Sequence, residues 1–149
     1  MDVKTKFLHR DLEEEIYMKQ PKGFTVKGKK ELVCRLKKSL YGLKQSPRMW
    51  YQKFDTYIRE LGFTISKEDH YAYFKLICDH VIYLVLYVDD MLLIGNHNEI
   101  IQDLKTQLFS KFDMKDLGAT NYILGMEIKR DREKRKLLLN QRKYVETIL

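Results

Sequence analysis

Two adjacent aspartates stand inside the most apolar stretch of this chain, VIYLVLYVDDMLLIG, which runs from Val81 to Gly95. β-Branched and aromatic residues precede Asp89 and Asp90, and a second apolar run follows them at once. This pattern predicts a buried β-hairpin with the two aspartates at its turn. Neighbouring carboxylates repel each other and burial disfavours their charge, so a divalent cation such as Mg²⁺ would account for the pair. The alternative is that aspartate is simply a common turn residue.

The length and composition of the chain predict one domain. Its 149 residues, 44% of them hydrophobic, are enough for one sizeable core. No apolar run reaches the roughly 18 residues of a membrane span, and no apolar segment preceded by positive charge opens the chain. We therefore expect an intracellular protein without a membrane partner. Cys34 and Cys78 lack C-x-x-C spacing and form no zinc pattern with the four histidines, so we expect free thiols.

The positive charge is concentrated in the first third of the chain. Residues 1–53 contain 14 Lys and Arg against 6 Asp and Glu, whereas residues 54–149 contain 14 against 15. The basic residues alternate there with aromatic and apolar ones, as suits phosphates beside stacked bases. The candidate nucleic-acid contacts are Lys37, Lys38, Lys44 and Arg48. The alternative is a solvated basic surface that keeps the protein soluble.

The order of the predicted elements gives the fold class. Apolar residues at helical spacing predict helices from Ser46-Pro47 to Gly62, over 99–112 after Asn98, and after Asn140. Alternating or apolar runs predict strands over 2–8, 32–36 and 71–77, the hairpin over 81–95, and a second hairpin that rises over 122–129 and returns over 136–139. Helices interleaved with antiparallel hairpins predict an α+β domain, an antiparallel sheet with helices on one face.

Asp2 is the candidate for a third carboxylate. Metal-dependent nucleotidyl transfer uses two cations about 4 Å apart, held by carboxylates on rigid strands. Asp89 and Asp90 supply one side of such a site. Asp2 joins them if its strand pairs beside the hairpin.

Seven sequence pieces, in order, carry a resemblance to a known family: MDVKTKFL, DLEEEIYMKQPKGF, LVCRLKKSLYGLKQSPRMWY, LYVDDML, FDMKDLG, YILGMEI and LLLNQRKYV. From Met1 to Leu149 the chain resembles the reverse transcriptase of copia-type retrotransposons, which belongs to retrovirus-related Pol polyproteins. The resemblance implies a palm with part of the fingers (about residues 9–48) and the start of the thumb (residues 140–149). It also implies that the domain is truncated at both ends.

The resemblance assigns roles to individual residues. Asp2, Asp89 and Asp90 look like the catalytic carboxylates, which with the Val3 carbonyl hold two Mg²⁺ ions, or Mn²⁺ as an alternative. Phe7, Tyr41, Gly42 and Lys115 fall at positions of the dNTP site, where Phe7 blocks a ribose 2′-OH and Lys115 is a proton donor for pyrophosphate. Leu124, Gly125 and Met126 match the primer grip, for which an ordinary buried hairpin is an equal alternative.

The resemblance also implies partners and a location. The partners are an RNA or DNA template with its primer, a dNTP, and the remainder of a Pol polyprotein: upstream fingers, thumb, RNase H and integrase. The implied location is a cytoplasmic virus-like particle. The implied function is RNA-directed DNA synthesis; the alternative is an inactive remnant that at most binds nucleic acid.

Two residues depart from the family pattern. Lys6 stands where alanine is usual, next to the expected steric gate, and its long cation is expected to crowd the sugar pocket or pull the triphosphate out of place. Arg10 stands where a turn glycine is usual, which costs about 1 kcal/mol if that turn needs a positive φ.

Overall fold

The computed structural model describes residues 1–9, 12 and 14–149, without the side chains of Leu8 and His9. Its strands, in chain order, are β1 (Asp2–Val3), β2 (Tyr17–Lys19), β3 (Val33–Arg35), β4 (Thr64–Ile65), β5 (Ala72–Ile77), β6 (His80–Tyr87), β7 (Asp90–Gly95), β8 (Met114–Lys115), β9 (Tyr122–Ile123), β10 (Met126–Asp131) and β11 (Lys136–Asn140). Its helices are α1 (Ser46–Glu60), α2 (Asn98–Lys111) and α3 (Arg142–Ile148), and a 3₁₀-helix spans Lys6–His9. The described chain is therefore α+β, as predicted. Arg10 lies outside the described residues.

The strands form three antiparallel sheets rather than the single sheet we expected. The largest has the order β4-β5-β6-β7-β1-β8, a second has the order β11-β10-β9, and β2 pairs with β3. The segment predicted as one strand over 122–129 reverses at Leu124 and Gly125, so β9 pairs back on β10. The strand predicted over 2–8 ends at Val3, because Thr5 turns the backbone with a φ of 47° and the 3₁₀-helix follows.

The core lies between the six-stranded sheet and helices α1 and α2. Each helix buries apolar side chains four residues apart, which places them on one face. These residues are Trp50, Phe54 and Ile58 on α1 and Leu104, Leu108 and Phe112 on or just after α2. Strand residues that face them include Tyr73, Leu84, Leu86 and Met91. The aromatic residues of α1 thus form the core, as predicted. None of the helices in the described residues has the length and apolar character that a bilayer crossing requires.

The central hairpin is present, with its turn one residue earlier than predicted. Tyr87 pairs with Asp90, so the loop consists of Val88 and Asp89, and Asp90 is already the first residue of β7. Side chains alternate between faces along β7, and Met91 is buried against the helices. Asp90 therefore points to the opposite face, which we call the open face of the sheet.

The start of α1 also differs by one residue from the prediction. Gln45 is the residue before the helix, and the predicted capping residue, Ser46, is the first helical residue. Ser46 Oγ donates to the carbonyl oxygen of Leu40 at 2.7 Å and lies 2.5 Å from Ser39 Oγ. Both serines are buried, so these contacts fix the loop from residue 39 to 46 onto the helix.

Leu124 and Gly125 form the two-residue loop between β9 and β10. Their φ angles are 52° and 77°, and positive φ at both loop residues is typical of a type I′ turn. Glycine adopts this conformation without strain, whereas leucine does so at a cost.

We expect opposite effects from two substitutions in this turn. Gly125→Ala should lower the free energy of unfolding by about 1 kcal/mol, because a Cβ there meets open space but the backbone is strained. Leu124→Asn should raise it by about 0.5 kcal/mol, because asparagine tolerates a positive φ. Urea denaturation measures both. If both substitutions changed the free energy of unfolding in the same direction, the assigned turn would be contradicted.

Candidate active site

Strand β1 lies between β7 and β8 and brings two of the predicted carboxylates together. Asp2 pairs with Asp90 of β7. The flanking residues carry the hydrogen bonds: Met91 N–H donates to the Met1 carbonyl oxygen at 2.9 Å, and Val3 N–H donates to the Asp89 carbonyl oxygen at 3.2 Å. Asp2 and Asp90 are thus a non-hydrogen-bonded pair, in which the Cα atoms stand about 4.5 Å apart and the side chains are closest. Both carboxylates lie on the open face.

Lys115 extends this arrangement across the sheet. It pairs with Asp2 from the other side, on β8, and Tyr87 pairs with Asp90 from β6. Residues opposite one another in a sheet share a face. Tyr87, Asp90, Asp2 and Lys115 therefore form one row on the open face. Lys115 was predicted near the site, whereas Tyr87 was not, although the alternation of Tyr87 with the apolar Leu86 was an available signal.

Asp89 occupies the loop of the central hairpin, next to a strained residue. Val88 has a φ of 53°, and Asp89 does not share this positive sign. Positive φ at the first loop residue alone is typical of a type II′ turn, which favours glycine there. A β-branched residue in this conformation costs about 1–3 kcal/mol, a kind of strain that concentrates at functional sites.

The side chain of Asp89 contacts Lys6, an ion pair that sequence analysis did not predict. The Lys6 side chain is only 2% exposed, and its Nζ lies against Asp89 Oδ1. That oxygen is itself buried and accepts no hydrogen bond from the described residues. A buried ammonium needs an anion beside it. Lys6 therefore neutralises Asp89.

Phe7 and Tyr41 contact each other close to these groups. Their ring centroids are 4.7 Å apart with an edge-to-face geometry, and Lys6 Nζ lies 4.5 Å from the Phe7 centroid. Desolvation raises the pKa of the Tyr41 hydroxyl, and the negative charges of Asp89 and then Asp2 raise that pKa further. Two of the residues assigned to catalysis, Asp2 and Asp89, thus act electrostatically on Tyr41, which is assigned to dNTP binding. Gly42 follows with a φ of 94°, which only glycine adopts readily.

A cleft separates Asp90 from the segment that precedes the predicted primer grip. Met1, Asp90 and Met91 line it on one side and residues 119–123 on the other. Leu124 and Gly125 come next in the chain, as the turn described above, and Met126 begins β10. The structure therefore places the hairpin of the predicted primer grip beside Asp90.

The four candidate nucleic-acid contacts are all exposed. Lys37 and Lys38 follow β3, and Lys44 and Arg48 flank the start of α1. Lys38 and Lys44 stand on either side of the segment that carries Tyr41 and Gly42. The basic surface thus continues along the chain into the loop that meets Phe7.

The carboxylates fit a divalent cation in type and in strand position, but their side chains are not gathered around one. Among the described residues, no three His, Cys, Asp or Glu side chains are close enough together to hold a metal ion. Asp2 and Asp90 face each other, whereas Asp89 is occupied by Lys6. Val3 is buried and linked to Asp89 through its amide. Asp2, Asp89 and Asp90 offer the hard oxygen ligands that Mg²⁺ prefers, but their side chains would have to move to share one ion.

We expect Asp90→Asn to stabilise the fold. Asp90 faces the like charge of Asp2, and like charges directly opposite one another are destabilising. The free energy of unfolding should rise by about 0.5 kcal/mol at low salt, and the gain should shrink as salt is added. The free energy of unfolding should rise by less in Asp2→Asn, because Asp2 also faces the positive charge of Lys115. Chemical denaturation of both variants at two salt concentrations measures this, and a loss of stability in Asp90→Asn would contradict it.

Comparisons with known proteins agree with the resemblance found in the sequence. The model of the reverse transcriptase (RNA-dependent DNA polymerase) family matches residues 1–149. The chain is similar to the retrovirus-related Pol polyprotein from transposon TNT 1-94 of Nicotiana tabacum, with 55% identity over 100% of this chain and 11% of that protein. It is 38% identical to the corresponding polyprotein from transposon RE2 of Arabidopsis thaliana, over 100% of this chain and 10% of that protein. It is 37% identical to the putative transposon Ty5-1 protein of Saccharomyces cerevisiae, over 86% of this chain and 42% of that protein. The chain thus spans about a tenth of the two plant polyproteins. No solved structure matches it.

Proposed function

The chain belongs to the reverse transcriptase family, and we propose that it forms the palm and part of the fingers of an RNA-directed DNA polymerase. In the proposed reaction the 3′-OH of a primer attacks the α-phosphorus of a dNTP, a new phosphodiester bond forms, and pyrophosphate leaves. Residues 9–48 would belong to the fingers and residues 140–149 to the start of the thumb. The remaining parts of a Pol polyprotein would complete the enzyme.

One observation carries this proposal: Asp2 and Asp90, 88 positions apart in the sequence, are direct cross-strand neighbours, and Asp89 stands in the adjoining loop. Two like charges held side by side on an exposed sheet face reduce stability. Such an arrangement is typical of a functional site, where residues that lower the stability of the fold are kept because the reaction needs them.

Asp2, Asp89 and Asp90, with the Val3 carbonyl, would hold Mg²⁺, or Mn²⁺ in its place. When bound, such ions activate the attacking hydroxyl and stabilise the charge that develops on the phosphates. The chain itself supplies the positions: β1 fixes Asp2 against β7, and the strained Val88 loop sets Asp89 apart from Asp90.

The surrounding residues would select and orient the nucleotide. The Phe7 ring, held edge-to-face on Tyr41, would exclude a ribose 2′-OH by steric clash. Gly42 would allow the backbone to approach the base pair. Lys115, in the row with Asp2, would donate a proton to the departing pyrophosphate. The turn of Leu124, Gly125 and Met126 would position the primer end across the cleft from Asp90.

The nucleic acid would be bound largely through charge. Lys37, Lys38, Lys44 and Arg48 would contact phosphates of an RNA or DNA template and its primer. Such contacts release counterions, so affinity should fall steeply with salt and be nearly independent of sequence.

Primer extension tests the proposed function directly. The purified chain would be incubated with a primed RNA template, Mg²⁺ and each dNTP singly. We expect incorporation of the nucleotide complementary to the template and of no other. Incorporation that ignores the template base would contradict the proposal.

A second candidate is nucleic-acid binding without synthesis, which the Lys6–Asp89 contact favours because it neutralises a predicted catalytic carboxylate. This candidate predicts a salt-sensitive gel shift with primed RNA and no extension product. Template-directed extension by the same preparation would rule it out.

A further inference from the structure

We propose that Lys6 is a built-in competitor of the divalent cation: in the metal-free chain its ammonium occupies Asp89, and it must leave before a metal ion can bind there. This inference deepens the proposed function and rests on it.

The backbone turn after β1 places Lys6 at the site. After β1 the chain turns at Thr5, with a φ of 47°, and the 3₁₀-helix of Lys6–His9 begins. Because of this turn, Lys4 and Lys6 lie in different environments. Lys4 Nζ lies 3.6 Å from Asp113 Oδ1 at the surface, with 54% of its side chain exposed, whereas Lys6 is buried.

The Lys6 contact occupies one of the two carboxylate oxygens that Asp89 could offer to a metal ion. Asp89 Oδ1 is buried and receives no hydrogen bond from the described residues, and within that part of the chain the Lys6 ammonium is the cation against it. A magnesium or manganese ion binds by direct contact with carboxylate oxygens. One oxygen cannot serve both cations at contact distance. A metal ion bound through the other oxygen, Oδ2, would lie beside the ammonium and be repelled by its like charge.

Competition has two measurable consequences. Metal affinity is reduced by the free energy of the Lys6–Asp89 contact, because that contact is lost on binding. Removal of Lys6 leaves the buried oxygen without a counter-charge, so the metal-free protein becomes less stable and the metal restores that stability.

Titration with Mn²⁺, followed by the electron paramagnetic resonance signal of the free ion, tests the proposal without any catalytic assay. Lys6→Met removes the charge and keeps the length of the side chain. We expect it to bind Mn²⁺ about tenfold more tightly than the wild type, which corresponds to one ion pair of about 1.4 kcal/mol. Lys4→Met is the matched control and should bind as the wild type does. Lys6→Arg keeps the charge and should also show no gain.

The double variant Lys6→Met, Asp89→Asn separates the possible failures. The double variant should not show the tenfold gain in Mn²⁺ affinity that is expected for Lys6→Met. Equal affinity of Lys6→Met and wild type, with binding lost on Asp89→Asn, would overturn the role of Lys6 and leave the catalytic assignment intact. If the Mn²⁺ affinity were unchanged by substitutions at both Lys6 and Asp89, the assignment of Asp89 as a metal ligand would be overturned as well.

Thermal unfolding supplies a second readout. In EDTA, Lys6→Met should melt below the wild type, and saturating Mn²⁺ should raise its Tm more than that of the wild type. An equal Mn²⁺-induced shift in the two proteins would count against competition.

Discussion

Replacement of Asp90 by asparagine should lower RNA-templated primer extension by roughly 10³-fold or more, the scale of loss when one member of a catalytic unit is removed. Asparagine keeps the shape of the side chain but lacks the charge that balances a divalent cation. The Asp90→Asn protein should nevertheless be at least as stable as the wild type, because its repulsion with Asp2 is relieved. Single-nucleotide incorporation rates, measured beside denaturation curves, check both halves of this prediction.

Asp103→Asn is the control for that experiment. Asp103 lies exposed on α2, on the helix side of the sheet, and the same chemical change there should leave the extension rate unaltered. An Asp90→Asn protein that extends primers at the wild-type rate would remove Asp90 from the catalytic set.

The largest effect on stability is expected at Phe54. Phe54 is 0% exposed, and its ring packs between Trp50 at 5.6 Å, Phe112 at 5.9 Å and Tyr73 at 6.2 Å, centroid to centroid. It thus joins α1, the end of α2 and the sheet. Phe54→Ala should lower the free energy of unfolding by about 3–5 kcal/mol, because apolar contacts are lost and a cavity remains.

Phe109→Ala offers a comparison with the same change in chemistry. Phe109 lies on α2 but is 41% exposed, so its truncation should cost well under half as much. Urea denaturation of the two variants gives the difference. Similar losses at both positions would contradict the packing described for the core.

The parts of the fold that could be predicted are those specified locally. The helical spacing of Trp50, Phe54 and Ile58 placed α1, and the apolar runs around Asp89 and Asp90 placed the central hairpin. In each, burial periodicity and turn residues lie within a short window of sequence. The one-residue errors at Ser46 and Asp90 arise because side-chain contacts and hairpin register decide where an element begins.

The rest depends on contacts between distant segments or on backbone strain. The pairing of the Asp2 strand with the hairpin could not be decided from the sequence; in the structure β1 lies between β7 and β8. The reversal at Leu124 was missed because leucine rarely takes a positive φ. Lys6 was expected to disturb the nucleotide pocket; its contact with Asp89 follows from the Thr5 turn, which has no sequence signature.

Nuclear magnetic resonance of the ¹⁵N-labelled chain during Mn²⁺ addition tests most directly whether the three aspartates form one cation site. Paramagnetic Mn²⁺ broadens the signals of amides close to it. We expect saturable broadening centred on residues 2–3, 89–90 and 114–115, which lie far apart in the sequence and side by side in the sheet. Broadening centred on another acidic segment, such as residues 14–15, with residues 2 and 90 unaffected, would contradict the account.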